Sequence, residues 1–309
     1  MMMPSESVST AGASRPVSCR IIGSGRMAGA LAHALRSKPT NNFRLTGIFA
    51  RSAEKAKSIA GADIGSGDLA RIPVSDPETI TLLAVSDAAL PEVARMLASA
   101  GKVPTGLFVH TSGAAGLEPL APIRKAGGRT GSFHPLQSFT KGADATVFRD
   151  ISISLLCDEA DAPRLSELAR TFGARPLRVN ARQKKQLHLA AVMASNYMVA
   201  LLHLAEAAAS EISEPLLPHF APLLQQTLHN VMQQGTAAAL TGPVSRGDAD
   251  TLRSHLAELD AITLEQRNPL VSELIPAYKQ LGRVAARLAR ADGRLSEAQL
   301  EALNPLLEH

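Results

Sequence analysis

The chain has 309 residues, of which 45% are apolar and 3% aromatic, and it contains no Trp. Because a single hydrophobic core rarely grows beyond about 250 residues, the length predicts two domains, and their cores must be largely aliphatic. The net charge of +4 is small and scattered. With so few aromatic side chains to stack on bases, this composition argues against nucleic-acid binding and allows an anionic ligand.

The first 15 residues are rich in Ser, Ala and Pro and contain no apolar run. They predict a disordered tail rather than a signal peptide or a membrane anchor, so we expect a cytoplasmic protein. Cys19 and Cys157 lie in strand-like apolar segments, which predicts two buried, reduced structural thiols and excludes a disulfide framework.

Short apolar segments alternate with segments of helical periodicity in the first half of the chain. The predicted strands cover residues 17–23, 44–50, 79–85, 107–110, 129–133, 151–157 and 176–179. The predicted helices cover residues 26–37, 52–60, 88–100, 117–126 and 162–172. Near-continuously apolar strands that alternate with helices predict an α/β domain over residues 16–180, with a mostly parallel sheet covered on both faces.

The second half of the chain contains only predicted helices. Residues 181–306 therefore form an all-helical domain, which we assign to substrate binding and dimerisation. Asn180 and Gln183 match a capping box, in which two side chains satisfy the free backbone amides at the start of a helix. This pair predicts that the first long helix begins directly after Asn180.

Residues 188–209 are apolar on nearly all sides and are long enough to cross a bilayer. Polar side chains within the segment, such as His203 and Glu206, are costly in lipid, so we predict a buried central helix and no membrane association. Small residues such as Ala190 and Ala194 permit close helix packing. Because one small helical domain can hardly cover such a helix, we expect a homodimer that forms through residues 181–306.

A glycine-rich turn follows the first strand. It reads Gly23-Ser24-Gly25-Arg26-Met27-Ala28 and then continues as a helix. The first glycine permits a tight turn, the second lets a pyrophosphate approach the backbone, and the small last residue lets helix and strand pack closely. This G-x-G-x-x-A pattern at the first strand–helix turn predicts a Rossmann-type dinucleotide site on the amides of the helix N-terminus. The alternative is a structural turn in a domain that has lost its ligand.

The end of the second strand distinguishes between the two nicotinamide coenzymes. An NAD site usually has Asp or Glu there for the ribose 2′-hydroxyl, whereas this chain has Ala50-Arg51-Ser52. A guanidinium suits a 2′-phosphate through charge-assisted hydrogen bonds, so Arg51 and Ser52 predict NADP(H) as the cofactor. The alternative is that Arg51 is a solvated residue at a helix start.

Three later strands end in polar residues. Because ligands bind at the carboxyl edge of such sheets, we place the following residues in the cofactor site: Val85, Ser86, Asp87, Thr111 and Ser112. His134 follows the next strand and is assigned to substrate binding. Structural alternatives exist at each of the three strand ends: Ser86 and Asp87 as helix caps, Ser112-Gly113 as an ordinary turn, and His134-Pro135 as a rigid corner.

Six segments identify a family resemblance. They are GSGRMAGAL, LLAVSD, HTSGA, GSFHPLQSF, HLAAVMASNY and LTGPVSRGD, in this order. Together they resemble a family of Rossmann-like NADP oxidoreductase homologues with a helical C-terminal domain of unknown function. That family is similar to pyrroline-5-carboxylate reductase, ketopantoate reductase, and the 6-phosphogluconate and β-hydroxyacid dehydrogenases. The resemblance spans about residue 17 to the last helices, and it implies an architecture and NADP far more strongly than a substrate.

The relatives also suggest where catalytic residues lie. Their first helix after the Rossmann domain often carries a catalytic lysine, followed by an asparagine. In this chain His188 occupies the place of the lysine and Val192 that of an asparagine. A stripe of one helix face holds Lys185, His188, Ser195 and Asn196. By this likeness His188 is the proton donor, Asn196 orients the substrate, Ser112 donates a hydrogen bond to the reacting atom, and Lys185 and Ser195 bind substrate. The alternative is that His188 and Asn196 are hydrogen-bonded in a polar interface.

The stretch TGPVSRGD has the composition of a loop between helices. Its counterpart in pyrroline-5-carboxylate reductases lies near the active site, so the resemblance implies that Arg246 binds an acidic group of the substrate. Asp248 or Asp250 is alternatively a cap of the next helix.

Two functional hypotheses follow. In the first, the protein is an NADP(H)-dependent oxidoreductase that acts on a small C=O or C=N substrate, such as a 2-oxo or hydroxy acid or an imine, in a cleft between the domains, and it needs no metal. In the second, it is a non-catalytic NADP-binding sensor or partner-binding protein that kept the fold and lost the chemistry.

Overall fold

The computed structural model describes residues 15–37, 42–60, 64–66, 72, 76–99, 105–140, 142–265 and 270–308. The predicted N-terminal tail lies outside the described residues up to residue 14. The chain divides into two compact units, Met1–Ala191 and Val192–His309, and each is described by itself.

The first unit is built on an eight-stranded sheet. Its strands, β1 to β8, are Val17–Ile22, Phe43–Phe49, Gly65–Ser66, Ile80–Leu83, Leu107–His110, Arg129–Pro135, Ser152–Cys157 and Arg175–Arg178. Their order across the sheet is β3-β2-β1-β4-β5-β6-β7-β8. All pairs are parallel except β6 with β7. The predicted α/β fold with a mostly parallel sheet is confirmed, and only the two-residue strand β3 is too short to leave an apolar signal in the sequence.

Helices cover both faces of this sheet. Helices α1 to α6 are Arg26–Ser37, Ala53–Ala60, Leu90–Ser99, Ala121–Lys125, Ala162–Thr171 and Ala181–Ala191. One apolar cluster joins the sheet to α1 and α5, and a second joins the opposite face to α3 and α4. Successive strand residues therefore enter different cores: Val109 packs in the first cluster and Phe108 in the second. This double burial explains why the strands are apolar throughout.

The start of α6 follows the predicted capping box. The Asn180 amide donates to Gln183 Oε1 at 2.8 Å, and the Gln183 amide donates to Asn180 Oδ1 at 2.9 Å. The prediction is confirmed: two backbone amides that have no intrahelical acceptor are satisfied by side chains.

All regular elements among the described residues of the second unit are helices. It begins with a π-helical segment, Val192–Asn196, and continues with α7 to α12: Tyr197–Ala207, Leu217–Ala239, Pro243–Arg246, Ala249–Glu265, Leu274–Ala291 and Glu297–Leu307. Two small apolar clusters hold it together, one between α10, α11 and α12 and one around α10 and the start of α11. Helix α8 is kinked at Gly235, whose φ is +80°.

The prediction of a buried central helix over residues 188–209 is wrong for the single chain. The helical run Ala181–Ala207 has the length and composition to cross a membrane, and none of its apolar window is buried. A single helix of this kind is weak evidence for a membrane protein. Helices α7 and α8 contain no buried residue at all. An apolar composition indicates that a helix needs to be covered, but it does not say which chain covers it.

Candidate functional site

The glycine turn lies between β1 and α1, as predicted. Gly23 has a φ of +133°, and a Cβ there would stand 2.2 Å from the carbonyl oxygen of Ala84, so only glycine fits. At Gly25 an added Cβ would meet nothing within 4 Å. The space in front of the second glycine is therefore open, next to the first-turn amides of α1, and these residues fit the pyrophosphate of a dinucleotide.

A cavity of about 500 Å³ extends from this turn along the sheet edge. It brings together predicted cofactor residues from the ends of β1, β2 and β4: Gly23, Ser24, Gly25, Arg51, Ser52, Val85 and Ser86. Among the lining residues that sequence analysis does not predict, two are charged, Lys55 and Glu92. The other predicted cofactor residues, Arg26, Met27, Asp87, Thr111 and Ser112, lie outside this lining. We call this space the coenzyme cavity.

Two cationic side chains line the coenzyme cavity between the end of β2 and the first turns of α2. Arg51 is exposed, and Lys55, on the first turns of α2, lines the same cavity. The Ser52 hydroxyl accepts a hydrogen bond from the Lys55 amide at 3.2 Å, so it also caps α2. Lys55 could have been found from the sequence, because it lies four residues after Arg51 near the start of a predicted helix.

The residues after β4 and β5 differ in exposure. Ser86 and Asp87 are exposed, and Ser86 makes no side-chain hydrogen bond at the start of the 3₁₀ turn Asp87–Ala89. Thr111 is buried, and its amide donates to the Leu83 carbonyl at 3.2 Å. The Ser112 hydroxyl accepts from the Ala115 amide at 3.0 Å. Ser112 thus shapes a turn, and its own hydroxyl hydrogen remains free of that bond.

Lys184 lies against this turn and was not among the predicted site residues. Its ammonium donates to the carbonyl oxygens of Ser112, at 2.6 Å, and Gly113, at 3.1 Å. The residue is 2% exposed, and burial lowers the pKa of its amine to about 8, although the charge of Asp87 acts in the opposite direction. Lys185, the residue predicted to face the site, is exposed. A buried amine with a pKa near neutrality can donate or accept a proton.

His110, at the end of β5, holds the far end of the same turn. Its side chain is fully buried, and Nε2 lies 2.8 Å from the Gly116 carbonyl oxygen, a distance at which it must carry the proton and donate. Burial, followed by the charge of Lys184, lowers the pKa of His110 to about 4. The ring is therefore neutral at pH 7, and it fixes the loop whose carbonyls hold Lys184.

His134 and His188 enclose Gly113. Their ring centroids are 5.9 Å apart and nearly perpendicular. A Cβ on Gly113 would stand 2.4 Å from His188 Nδ1 and 2.8 Å from His134 Nε2. Burial, with Lys184 nearby, lowers the pKa of His134 to about 3. The structure thus brings the predicted residues Ser112, His134 and His188 together around Gly113, and Lys184 joins them.

The remaining predicted residues belong to the second unit. Ser195 and Asn196 lie in the π-helical segment, which interrupts the 3.6-residue period on which the predicted stripe depends. Arg246 ends α9 with an exposed side chain, and its carbonyl accepts from Gln299 Nε2 at 2.9 Å. Asp248 caps α10, since its carboxylate accepts from the Thr251 amide at 3.0 Å. Among the described residues, no group of His, Cys, Asp and Glu side chains is placed to hold a metal ion.

Comparisons with known proteins agree with this architecture. Residues 1–135 match the model of a Rossmann-like domain, and residues 151–285 match that of a domain of unknown function, DUF2520. The chain thus carries a Rossmann-like domain followed by a DUF2520 domain, which confirms the resemblance found in the sequence. No curated protein matches the chain in sequence.

Solved structures share the fold over most of the chain. A protein from Bacteroides fragilis, whose name marks it as a candidate NADP oxidoreductase, is 26% identical with a TM-score of 0.67; the match covers 88% of this chain and 99% of that one. A protein from Thermotoga maritima is 24% identical with a TM-score of 0.66, covering 89% and 99%. A candidate oxidoreductase from Mycobacterium avium 104 is 18% identical with a TM-score of 0.60, covering 88% and 98%.

Proposed function

We propose that the protein is an NADP(H)-dependent oxidoreductase that acts on a small C=O or C=N substrate. The observation that carries this proposal is the position of Lys184. Its buried amine lies at the ends of β5 and β6, directly beside the strands whose ends form the coenzyme cavity. A protein that only bound a nucleotide would gain nothing from desolvating a lysine at this place, because burying an ammonium is costly.

The coenzyme cavity supports NADP(H) rather than NAD(H). When bound, the nicotinamide dinucleotide supplies or accepts the hydride. The glycine turn and the first-turn amides of α1 hold its pyrophosphate, and Arg51 with Lys55 offers two cations to a 2′-phosphate. Of the described lining residues Glu92 alone is acidic, and it lies on α3, away from the end of β2. The name of the Bacteroides fragilis protein points to the same coenzyme.

Lys184 is the proton donor that we favour when a carbonyl or imine is reduced. Two of its three N–H groups are directed to the carbonyls of Ser112 and Gly113, which leaves one for a substrate atom. Its pKa of about 8 suits proton transfer near neutral pH. His188 remains the alternative donor, and its ring contacts the same turn. Because His110 and His134 stay neutral, an ammonium at this edge favours a substrate with a negative charge.

Lys185, Ser195, Asn196 and Arg246 remain predictions as substrate-binding or orienting residues.

We also propose that a second copy of the chain covers the apolar surfaces of α7 and α8. An isolated helix is marginal in water, and helices without buried residues need a partner. A symmetric dimer would pair each such surface with its own equivalent.

The experiment that tests the proposed function follows coenzyme oxidation by fluorescence. The full-length protein, with NADPH or NADH, is offered a panel of 2-oxo acids and cyclic imines. Turnover of at least one class with NADPH, and much slower turnover with NADH, is the expected result. If NADPH binds tightly and neither class is reduced, the non-catalytic hypothesis is favoured instead.

A further inference from the structure

We propose that a groove between α1 and α2 is a second anion-binding site, for a small molecule that carries two or more phosphates. This α1–α2 groove is a cavity of about 900 Å³. Its walls include Arg26, His33 and Arg36 of α1, Lys55 and Ser58 of α2, and Gly142. It goes beyond the proposed oxidoreductase function, because most of its walls lie outside the coenzyme cavity.

Positive charge without a partner is the main reason for this proposal. Three of the groove residues, Arg26, His33 and Arg36, lie along the exposed side of α1, and Lys55 faces them from α2. No Asp or Glu occurs among the described lining residues. Within the part of the chain that the structure describes, none of these basic groups forms an ion pair. Converging cations repel one another, and a bound polyanion relieves that repulsion.

Two local contacts position charged side chains at the edge of the groove. One guanidinium nitrogen of Arg36 donates to the Ile59 carbonyl at 3.3 Å, which holds the side chain between the two helices. Asp144 borders the adjoining cavity beside His33. Its Oδ1 accepts from the Thr146 amide at 2.7 Å and from the Thr146 hydroxyl at 2.5 Å, so this oxygen is engaged locally.

The length of the cationic stripe indicates the class of ligand. Arg26 and Arg36 are ten residues apart on one helix, which separates their backbones by about 15 Å at 1.5 Å per residue. A single phosphate can contact one end of this stripe but not both. A polyphosphate chain or a nucleoside polyphosphate reaches along it, and the volume of the groove is large enough for such a molecule.

The groove and the coenzyme cavity meet at Ser24, Gly25 and Lys55 and then diverge. The coenzyme cavity continues to Arg51 at the end of β2, whereas the groove continues to His33 and Arg36. Substitutions at the divergent ends therefore separate the two sites.

The test is a calorimetric titration of the full-length protein with inorganic tripolyphosphate and, separately, with NADPH. The double variant His33→Ala/Arg36→Gln removes two basic side chains of the groove at exposed positions. We expect it to weaken tripolyphosphate binding about tenfold or more and to leave NADPH binding unchanged. Arg170→Ala, which removes an exposed arginine on α5, serves as the matched control and should change neither affinity.

Arg51→Ala is expected to give the opposite pattern, with a loss of NADPH affinity and little change for tripolyphosphate. Any of three results would overturn the proposal. The first is that tripolyphosphate does not bind the wild-type protein. The second is that its binding is lost in Arg51→Ala but not in the groove variant, and the third is that the groove variant weakens NADPH binding as much as tripolyphosphate binding. The last result would make the groove part of the coenzyme site.

Discussion

The two units of this protein differ in what they leave unsatisfied. The first unit covers both faces of its sheet with apolar clusters, yet it buries a lysine and a histidine at one sheet edge. The second unit buries little, and large apolar side chains remain exposed along α7 and α8. These are Tyr197, Met198, Val199, Leu201, Leu217, Leu223, Leu224, Leu228 and Met232.

Both features are costly for an isolated chain, and each points to a different need. A desolvated ammonium lowers stability, so its presence at this edge points to a functional need. An exposed apolar helix is unfavourable unless another surface covers it. The comparison shows that the first unit is complete as an apolar core, whereas the second leaves large apolar side chains uncovered.

The largest expected effect is on the proposed dimer, in which a second chain covers the exposed apolar side chains of the second unit. Leu228 and Met232 lie one turn apart on α8 and are 57% and 73% exposed. Burial of each such side chain contributes about 1.5–3 kcal/mol, and a symmetric dimer contains each twice. Leu228→Glu/Met232→Glu should therefore weaken dimerisation by at least about 10³-fold. Light scattering across protein concentrations measures the change from dimer to monomer.

Leu264→Glu is the control, because Leu264 is 87% exposed on α10 of the same unit. It should leave the mass of the assembly unchanged. A wild-type protein that is already monomeric at micromolar concentration would contradict the proposed dimer.

The second prediction concerns the buried lysine. Lys184→Met keeps the length of the side chain and removes the proton donor, so turnover should fall by about 10²–10⁴-fold. NADPH affinity should stay the same, because Lys184 does not line the coenzyme cavity. Lys125→Met is the matched control, since Lys125 is an exposed lysine at the end of α4, and it should retain turnover.

His188→Ala separates the two candidate donors. If Lys184 donates the proton, His188→Ala should cost less turnover than Lys184→Met. The opposite order would assign the proton to His188 and leave Lys184 a positioning role.

The choice between Lys184 and Lys185 as the residue at the site shows what the sequence alone cannot predict. Lys184 is four residues before His188 and Lys185 three, so both are neighbours of His188 on a helix surface. Periodicity therefore permits either one at the site. In the structure it is Lys184 that contacts the carbonyls of Ser112 and Gly113. A tertiary contact between residues some seventy positions apart leaves no local signal in the sequence.

Other parts of the molecule were more accessible from the sequence. Apart from the short strand β3, the strands of the first unit follow from apolar runs and turn residues, and Leu107–His110 has the predicted bounds. The glycine turn was found because the steric requirement at Gly23 is local. The π-helical segment cannot be predicted, because an extra residue in one turn leaves the amino-acid composition of the helix unchanged. The position of Gly113 between two imidazoles depends on the tertiary fold and has no local signal.

The third prediction sharpens the coenzyme assignment of the first unit. Arg51→Ala removes a cation from the end of β2, and loss of a charge-assisted contact typically costs about 1.5–3 kcal/mol. Affinity for NADP(H) should fall about tenfold or more, and affinity for NAD(H) should change little. Fluorescence titration with both coenzymes measures the effect. Equal affinity of the wild-type protein for the two coenzymes would refute the preference.

The last prediction concerns how the first unit tolerates acid. The folded protein holds the pKa of His134 at about 3 and that of His110 at about 4, below the ordinary value of 6.5. The unfolded chain therefore binds more protons as the pH falls from 6.5 towards these values, and the free energy of unfolding decreases. Each group contributes a slope of at most about 1.4 kcal/mol per pH unit. His134→Asn should flatten this decline, and His33→Asn, an exposed control on α1, should not. Urea unfolding across this pH window measures the slope. A decline of equal steepness in all three proteins would show that the half-buried imidazole of His134 does not set the acid stability.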